Sequence, residues 1–216
     1  MTEELAVLLI GGAAAAVAAA RSFAAQVQKN RAIVALDPVW QAWAARRGLS
    51  FEPSRPFGFE LTAPRVNGEV DGVHVSVDGM ELDPEQLVAP SATAKERRKM
   101  PHTSVAARAL GAATGSMIVV SRARVEHREP VAGYRQMDLS DARFDDACAV
   151  WADPWSPARH LDDRRVRAGL AQLAQRPFVL CAQSGTLWIR WPGYEPDPAM
   201  LDLAVNALVA FARHRG

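Results

Sequence analysis

The stretch from Leu5 to Ala20, LAVLLIGGAAAAVAAA, carries no charged side chain. A helix that is apolar all round must be buried or lie in lipid, so this run constrains the chain more than any other. At 1.5 Å per residue it makes about 24 Å of helix, short of the roughly 30 Å of a bilayer's hydrocarbon core. Counting on through Arg21, whose stem can snorkel, and Ser22-Phe23-Ala24-Ala25 gives about 31 Å, which spans. Leu5, Val7, Leu8, Leu9, Ile10 and Val17 together contribute roughly −3 kcal/mol to insertion, the alanines add little, and Gly11 and Gly12 subtract. Glu3 and Glu4 precede the run where a cleavable signal needs positive charge. Arg21, Lys29, Arg31, Arg46 and Arg47 follow it, and positive flanks stay inside. The expectation is a single-pass segment in the cytoplasmic (inner) membrane, held through Leu5, Leu8, Leu9, Ile10, Val17 and Phe23, with a cytoplasmic body. Two alternatives stand beside it. Ala is the best helix former, so the run also suits a helix packed into a core or a partner, and its small residues also provide cleavage sites for a signal peptide.

Composition bounds the rest. Of 216 residues, 49% are hydrophobic and 23% charged, which fits a globular chain able to bury a core. A net charge of +1 argues against a dedicated nucleic-acid binder. The two cysteines, Cys148 and Cys181, sit in apolar runs and read as buried free thiols.

The domains divide as 1–36, the membrane and juxtamembrane helix, and 37–216, a soluble α+β domain that is β-rich over 49–138 and βαββα over 144–216. Asp37-Pro38 offers an N-cap and a first-turn proline, so the spacing predicts a fresh helix there. Its stripe of Trp40, Trp43 and Ala44 faces the core, and Gly48 closes it. From Leu49 the period becomes two. FGFEL reads as a strand. RVNGEV and VHVSVDG read as strands joined at Asp71-Gly72, a strong hairpin signal. TSVAARA, SMIVVSRARVE and GYRQMD complete an antiparallel meander with one covered face. ELDPEQLVAPSATAKERRKMPH reads mostly as an exposed loop, and its cluster Lys95, Arg97, Arg98 and Lys99 is a candidate contact with an anionic surface. DDACAVWA reads as a strand and WSPARHLD as a helical turn. Asp162 or Asp163 caps a helix carrying Val166, Leu170 and Leu173 on one face. PFVLCAQ and TLWIRW form a second hairpin across Ser184-Gly185, with Trp188 and Arg190 on one face and Leu187, Ile189 and Trp191 on the other. Asp197-Pro198 opens a terminal helix with Leu201, Val205, Leu208 and Ala212 on its stripe. Helices on one face of such a sheet make an α+β fold.

Several features together resemble a set of bacterial membrane-anchored proteins of unknown function. They are W-x-x-W-A…G-L at Trp40 to Leu49, Gly68 and Gly72 around alternating valines, and Thr103 before a strand. Phe144-Asp145 opening a strand, Arg165 and Leu170 on the next helix, and the Gly185 turn complete the pattern. The resemblance implies an N-terminal membrane segment and an α+β body, and transfers no catalytic residue.

The sequence holds no phosphate-binding glycine loop, H-E-x-x-H, C-x-x-C or G-x-S-x-G. His74, Ser76 and Asp78 are the residue types of a triad but stand in a row about 6.8 Å apart, which reads as a solvated strand face. His160 with Asp162 and Asp163, and Asp145-Asp146 with Asp138 and Asp141, read as caps and turns rather than metal ligands. Trp151, Trp155, Trp188 and Trp191 read as core. The chain is therefore expected to have no catalytic, cofactor or metal site, and to be a non-enzymatic interaction protein that positions an unidentified protein partner at the membrane. The alternatives are an enzyme assembled from distant residues, or a soluble subunit whose Ala-rich helix packs into a partner.

Overall fold

The first element is one helix, α1 (Thr2–Arg47), of 46 residues and about 69 Å. The structure is a computed structural model. It describes residues 2–82, 100–108, 115–123, 133–154, 156–183 and 185–213, with the side chains of 2–16 and of Pro157 outside that set. The fresh helix expected at Asp37-Pro38 is a correction: Pro38 lies inside α1. Ile33, Leu36, Trp40 and Trp43 are all buried and recur at helical spacing across it, so one continuous helix buries them together. Pro38 itself is exposed, so the carbonyl it leaves unbonded faces water. Asp37 does not cap; its carboxylate accepts from the Ser54 amide at 3.0 Å and the Ser54 hydroxyl at 2.7 Å. Gly48, at φ +67, ends the helix as its sequence position predicts.

The membrane reading is also corrected. Among the described residues no helix is long and apolar enough to cross a membrane. Leu5, Leu8, Leu9 and Ile10 have side chains outside the described set. Past Arg21 the same helix runs on through Gln26, Gln28, Lys29, Asn30 and Arg31, and no apolar window survives there. The transmembrane segment, the membrane as partner and the single-pass inner-membrane location fall with it.

The strands follow: β1 (Ser50–Glu52), β2 (Arg55–Phe57), β3 (Glu60–Thr62), β4 (Arg65–Val70), β5 (Val73–Leu82), β6 (Met100–Arg108), β7 (Ser116–Ser121) and β8 (Arg135–Met137). Next come α2 (Ala142–Ala147), β9 (Cys148–Ala152), a 3₁₀ turn (Pro157–Asp162), α3 (Arg164–Leu173), β10 (Val179–Gln183), β11 (Thr186–Pro192) and α4 (Pro198–Arg213). Nine strands form one antiparallel sheet in the order β1-β4-β5-β6-β11-β10-β7-β9-β8, and β2 pairs only with β3. The α+β class and the C-terminal β-α-β-β-α layer agree with the expectation.

The meander holds from β4 through β6 and is then interrupted: β6 and β7 are not neighbours. The hairpin β10–β11 inserts between them, with Trp188 opposite Ala106 on one side and Leu180 opposite Val119 on the other. Chain order cannot show this, because the apolar pattern of a strand does not name its neighbour and pairing is set by what all the strands bury together. The Asp71-Gly72 hairpin is as expected, both residues at positive φ as a type I′ turn requires. FGFEL is corrected from a strand to a tight turn: Gly58 at φ +62 reverses the chain, and Phe57 pairs with Glu60. Phe144-Asp145 is corrected from strand to helix. The Asp141 carboxylate accepts from the Phe144 amide at 3.2 Å and caps α2, and Asp145 accepts from the Asp141 amide at 3.0 Å in return.

One face of the sheet carries the main core. Val75, Val105, Ile189, Leu180 and Val119 meet Leu170, Leu201, Val205 and Leu208 from α3 and α4, with Trp40 and Trp43 from α1. The other face carries a small buried cluster of Ile118, Val179, Cys181 and Trp188. Arg190 lies 4.0 Å over the Trp188 ring, so the two faces of TLWIRW divide as the alternation predicts.

Candidate functional site

The residues singled out in the sequence do not converge. His74 is exposed, and Asp78 is bonded to Arg65 across the β4–β5 pair. His160 stacks on Phe211 with ring centroids 5.0 Å apart, and its Nδ1 is 2.9 Å from the Phe211 carbonyl. Asp163, not Asp162, caps α3, accepting from the Arg165 amide at 2.7 Å. Asp141 pairs with Arg167 at 2.8 Å, and its carboxyl is held below the usual range by the Phe144 amide and by Arg167. Among the described residues no three metal-capable side chains gather. Lys95, Arg97, Arg98 and Lys99, and Trp155, lie outside the described residues. Cys148 and Cys181 are buried free thiols, pushed by burial to about 12 and about 11.

Sequence reading missed Glu195, which is 1% exposed. Its carboxylate accepts from Trp191 Nε1 at 3.0 Å, Arg176 at 2.5 Å and the Asp197 amide at 3.0 Å. Its own amide donates to Thr103 Oγ1 at 2.8 Å, and that hydroxyl donates to the Gly193 carbonyl at 2.9 Å. Its carbonyl accepts from Trp40 Nε1 at 2.8 Å. One residue thus ties α1, β6, β11 and the start of α4 together. Trp43 Nε1 and Arg47 both reach Asp202 on α4, at 2.7 and 2.8 Å. The buried members, Glu195, Trp40, Trp43, Trp191 and Thr103, have their polar atoms paired here, which makes this a rigid joint. The only sequence signal was a glutamate beside the aromatic Tyr194, with no period to mark it as buried.

The joint fixes the C-terminal part of α1, and the stretch 17–25 stands clear of it. Residues 17–25 are all exposed, including Val17 at 51% and Phe23 at 71%. The sheet-proximal part carries Val34, 53% exposed, on the outer face beside Val27 and Ala35.

A cleft of about 560 Å³ opens between α1, the β2–β3 hairpin and β5. Its origin is in the register. The pairing of β4 with β5 ends at Arg65 opposite Asp78, while β5 runs on to Leu82 with a ladder partner only in β6. The hairpin stands over that gap, tied to α1 where Asn30 Nδ2 donates to the Phe59 carbonyl at 3.1 Å. Lys29 crosses the cleft to Glu81 at 2.7 Å and Glu60 at 3.6 Å. Gly79 is required where the walls meet: a Cβ there would stand 2.4 Å from Ala63 Cβ and 3.3 Å from the Tyr194 ring. Burial, with Glu81 and Glu60 nearby, pushes the Tyr194 phenol up to about 12, so it keeps its proton at neutral pH.

No family model matches the chain, and no curated protein matches it. A crystal structure of the mycobacterial trehalose monomycolate transport factor A, TtfA, has a similar fold, with a TM-score of 0.54 over 82% of this chain and 92% of that one, at 14% identity. The resemblance to membrane-anchored proteins is corrected by the same findings: the fold likeness lies with a transport factor, and no membrane-crossing helix is found among the described residues.

Proposed function

We propose that the chain is a non-enzymatic accessory subunit that holds a protein partner through the exposed stretch 17–25 of α1. The observation that carries this reading is the exposure of residues 17–25 in a helix of 46 residues. A helix end alone in water is marginal, and most helices in proteins are held by packing of an apolar face. Val17, Phe23 and Val34 are exposed apolar side chains with nothing of this chain against them among the described residues, and Phe23 and Val34 lie on nearly the same side of the helix. The fold likeness to a transport factor supports a place in a transport assembly, with this chain as a fixed platform and not a catalyst. Val17→Glu and Phe23→Glu place charges on this exposed stretch without touching the core. Site-specific photocrosslinking from position 21 of the full chain should capture one defined protein, and both variants should lose it with unchanged thermal unfolding. Undiminished crosslinking in both variants would refute the reading.

A further inference from the structure

We propose that the cleft between α1, the β2–β3 hairpin and β5 binds a neutral polyhydroxylated ligand of about mono- or disaccharide size. Its volume of about 560 Å³ falls within the range of small-molecule sites. The chemistry of its walls then selects the ligand.

Four carboxylates (Glu52, Glu60, Asp78, Glu81) and three cations (Lys29, Arg55, Arg65) line it. The central charges are already paired, Lys29 with Glu81 and Glu60, and Arg65 with Asp78. A phosphate entering the cleft would meet four carboxylates. A cation would have to displace Lys29. A wholly apolar ligand would strip water from these ions and return nothing to them. Paired ions still have free valence: a carboxylate in one ion pair keeps lone pairs, and a lysine or arginine keeps N–H groups. The walls therefore present acceptors and donors side by side, with four carboxylates nearly balanced by three cations. A hydroxyl donates and accepts at once, and several on one small ring match such a wall. Tyr194 adds a protonated phenol, and Leu61 and Met80 add apolar surface for the ring's C–H groups. The side chains are partly held in advance: Lys29 is 19% exposed and Asp78 17%.

This inference does not rest on the partner-binding role of α1, and its test uses the full chain without any partner. Maltose, sucrose and trehalose would be titrated against the ¹⁵N-labelled chain, with inorganic phosphate and spermidine as charged comparators. The expected result is saturable shifts centred on the Gly79 and Met80 amides with a neutral sugar, at millimolar affinity or tighter, and not with the charged probes. Glu81→Gln and Tyr194→Phe should each weaken binding by about tenfold while circular dichroism stays unchanged. Gly79→Ala, which forces Tyr194 and Ala63 apart, should weaken it as well. The proposal is overturned if no sugar gives saturable shifts at these amides. It is also overturned if phosphate or spermidine moves them more than any sugar, or if folded Glu81→Gln and Tyr194→Phe bind like the parent.

Discussion

Replacing Glu195 by glutamine tests the joint between α1 and the body at its centre. The change keeps the shape and removes the charge. Trp191 and Arg176 both reach Oε2, while the Asp197 amide reaches Oε1. A glutamine that keeps its oxygen toward Trp191 and Arg176 turns its own N–H groups on the Asp197 amide, donor against donor. The flipped amide strands the buried Trp191 indole instead. Either way one donor loses its acceptor, which costs about 1 to 3 kcal/mol. Arg176 is 46% exposed and turns to water, so its ion pair adds little beyond this. For a chain of this size the loss lowers the melting temperature by roughly 2 to 12 °C. Glu195→Ala strands both donors and opens a cavity, and should cost about 2 to 4 kcal/mol. Urea unfolding followed by tryptophan fluorescence reads these values. A cycle of Glu195→Gln with Trp191→Phe should show a coupling of at least about 0.5 kcal/mol. Glu195→Gln within about 0.5 kcal/mol of the parent, together with an additive cycle, would refute the keystone role.

Two further outcomes follow from titratable groups. Cys148 and Cys181 are 1% and 3% exposed, with thiols raised to about 12 and about 11, so iodoacetamide at pH 8 should label neither in the native chain and both in urea; fast native labelling of either would contradict the packing. Asp141→Asn keeps the cap oxygen on α2 and removes the charge that Arg167 and the Phe144 amide hold low. Because the folded carboxyl is depressed, its stabilisation is present above the unfolded value of about 3.9 and is lost as pH falls through the lower folded value. The parent should therefore exceed the variant in stability at neutral pH, and the gap should close in strong acid. A gap that stays constant with pH would count against the pairing.

What could be read from the chain itself was whatever is local. The Asp71-Gly72 turn needs positive φ at two adjacent residues, and the sequence supplies residues that tolerate it. Asp163 and Asp197 sit where an oxygen satisfies the first amides of a helix, at 2.7 and 2.9 Å. Period two named the buried face of VHVSV and separated Leu187, Ile189 and Trp191 of the main core from Trp188 and Arg190, and the spacing of Val166, Leu170 and Leu173 named the face of α3. The same local rules misled at Asp37-Pro38, where an exposed proline is tolerated because a buried stripe runs past it on the other side.

Tertiary structure alone decided the rest. Alternation says which side of a strand is buried but not which strand lies beside it, so the insertion of β10–β11 between β6 and β7 was invisible. The residues that matter most to the joint lie far apart in the chain: Trp40 and Glu195 are 155 positions apart, and Thr103 and Glu195 92. No period links them, and a lone glutamate reads as surface until the donors around it are known. The cleft has the same origin, because it exists where β4 stops and β5 continues, a fact of register and not of composition.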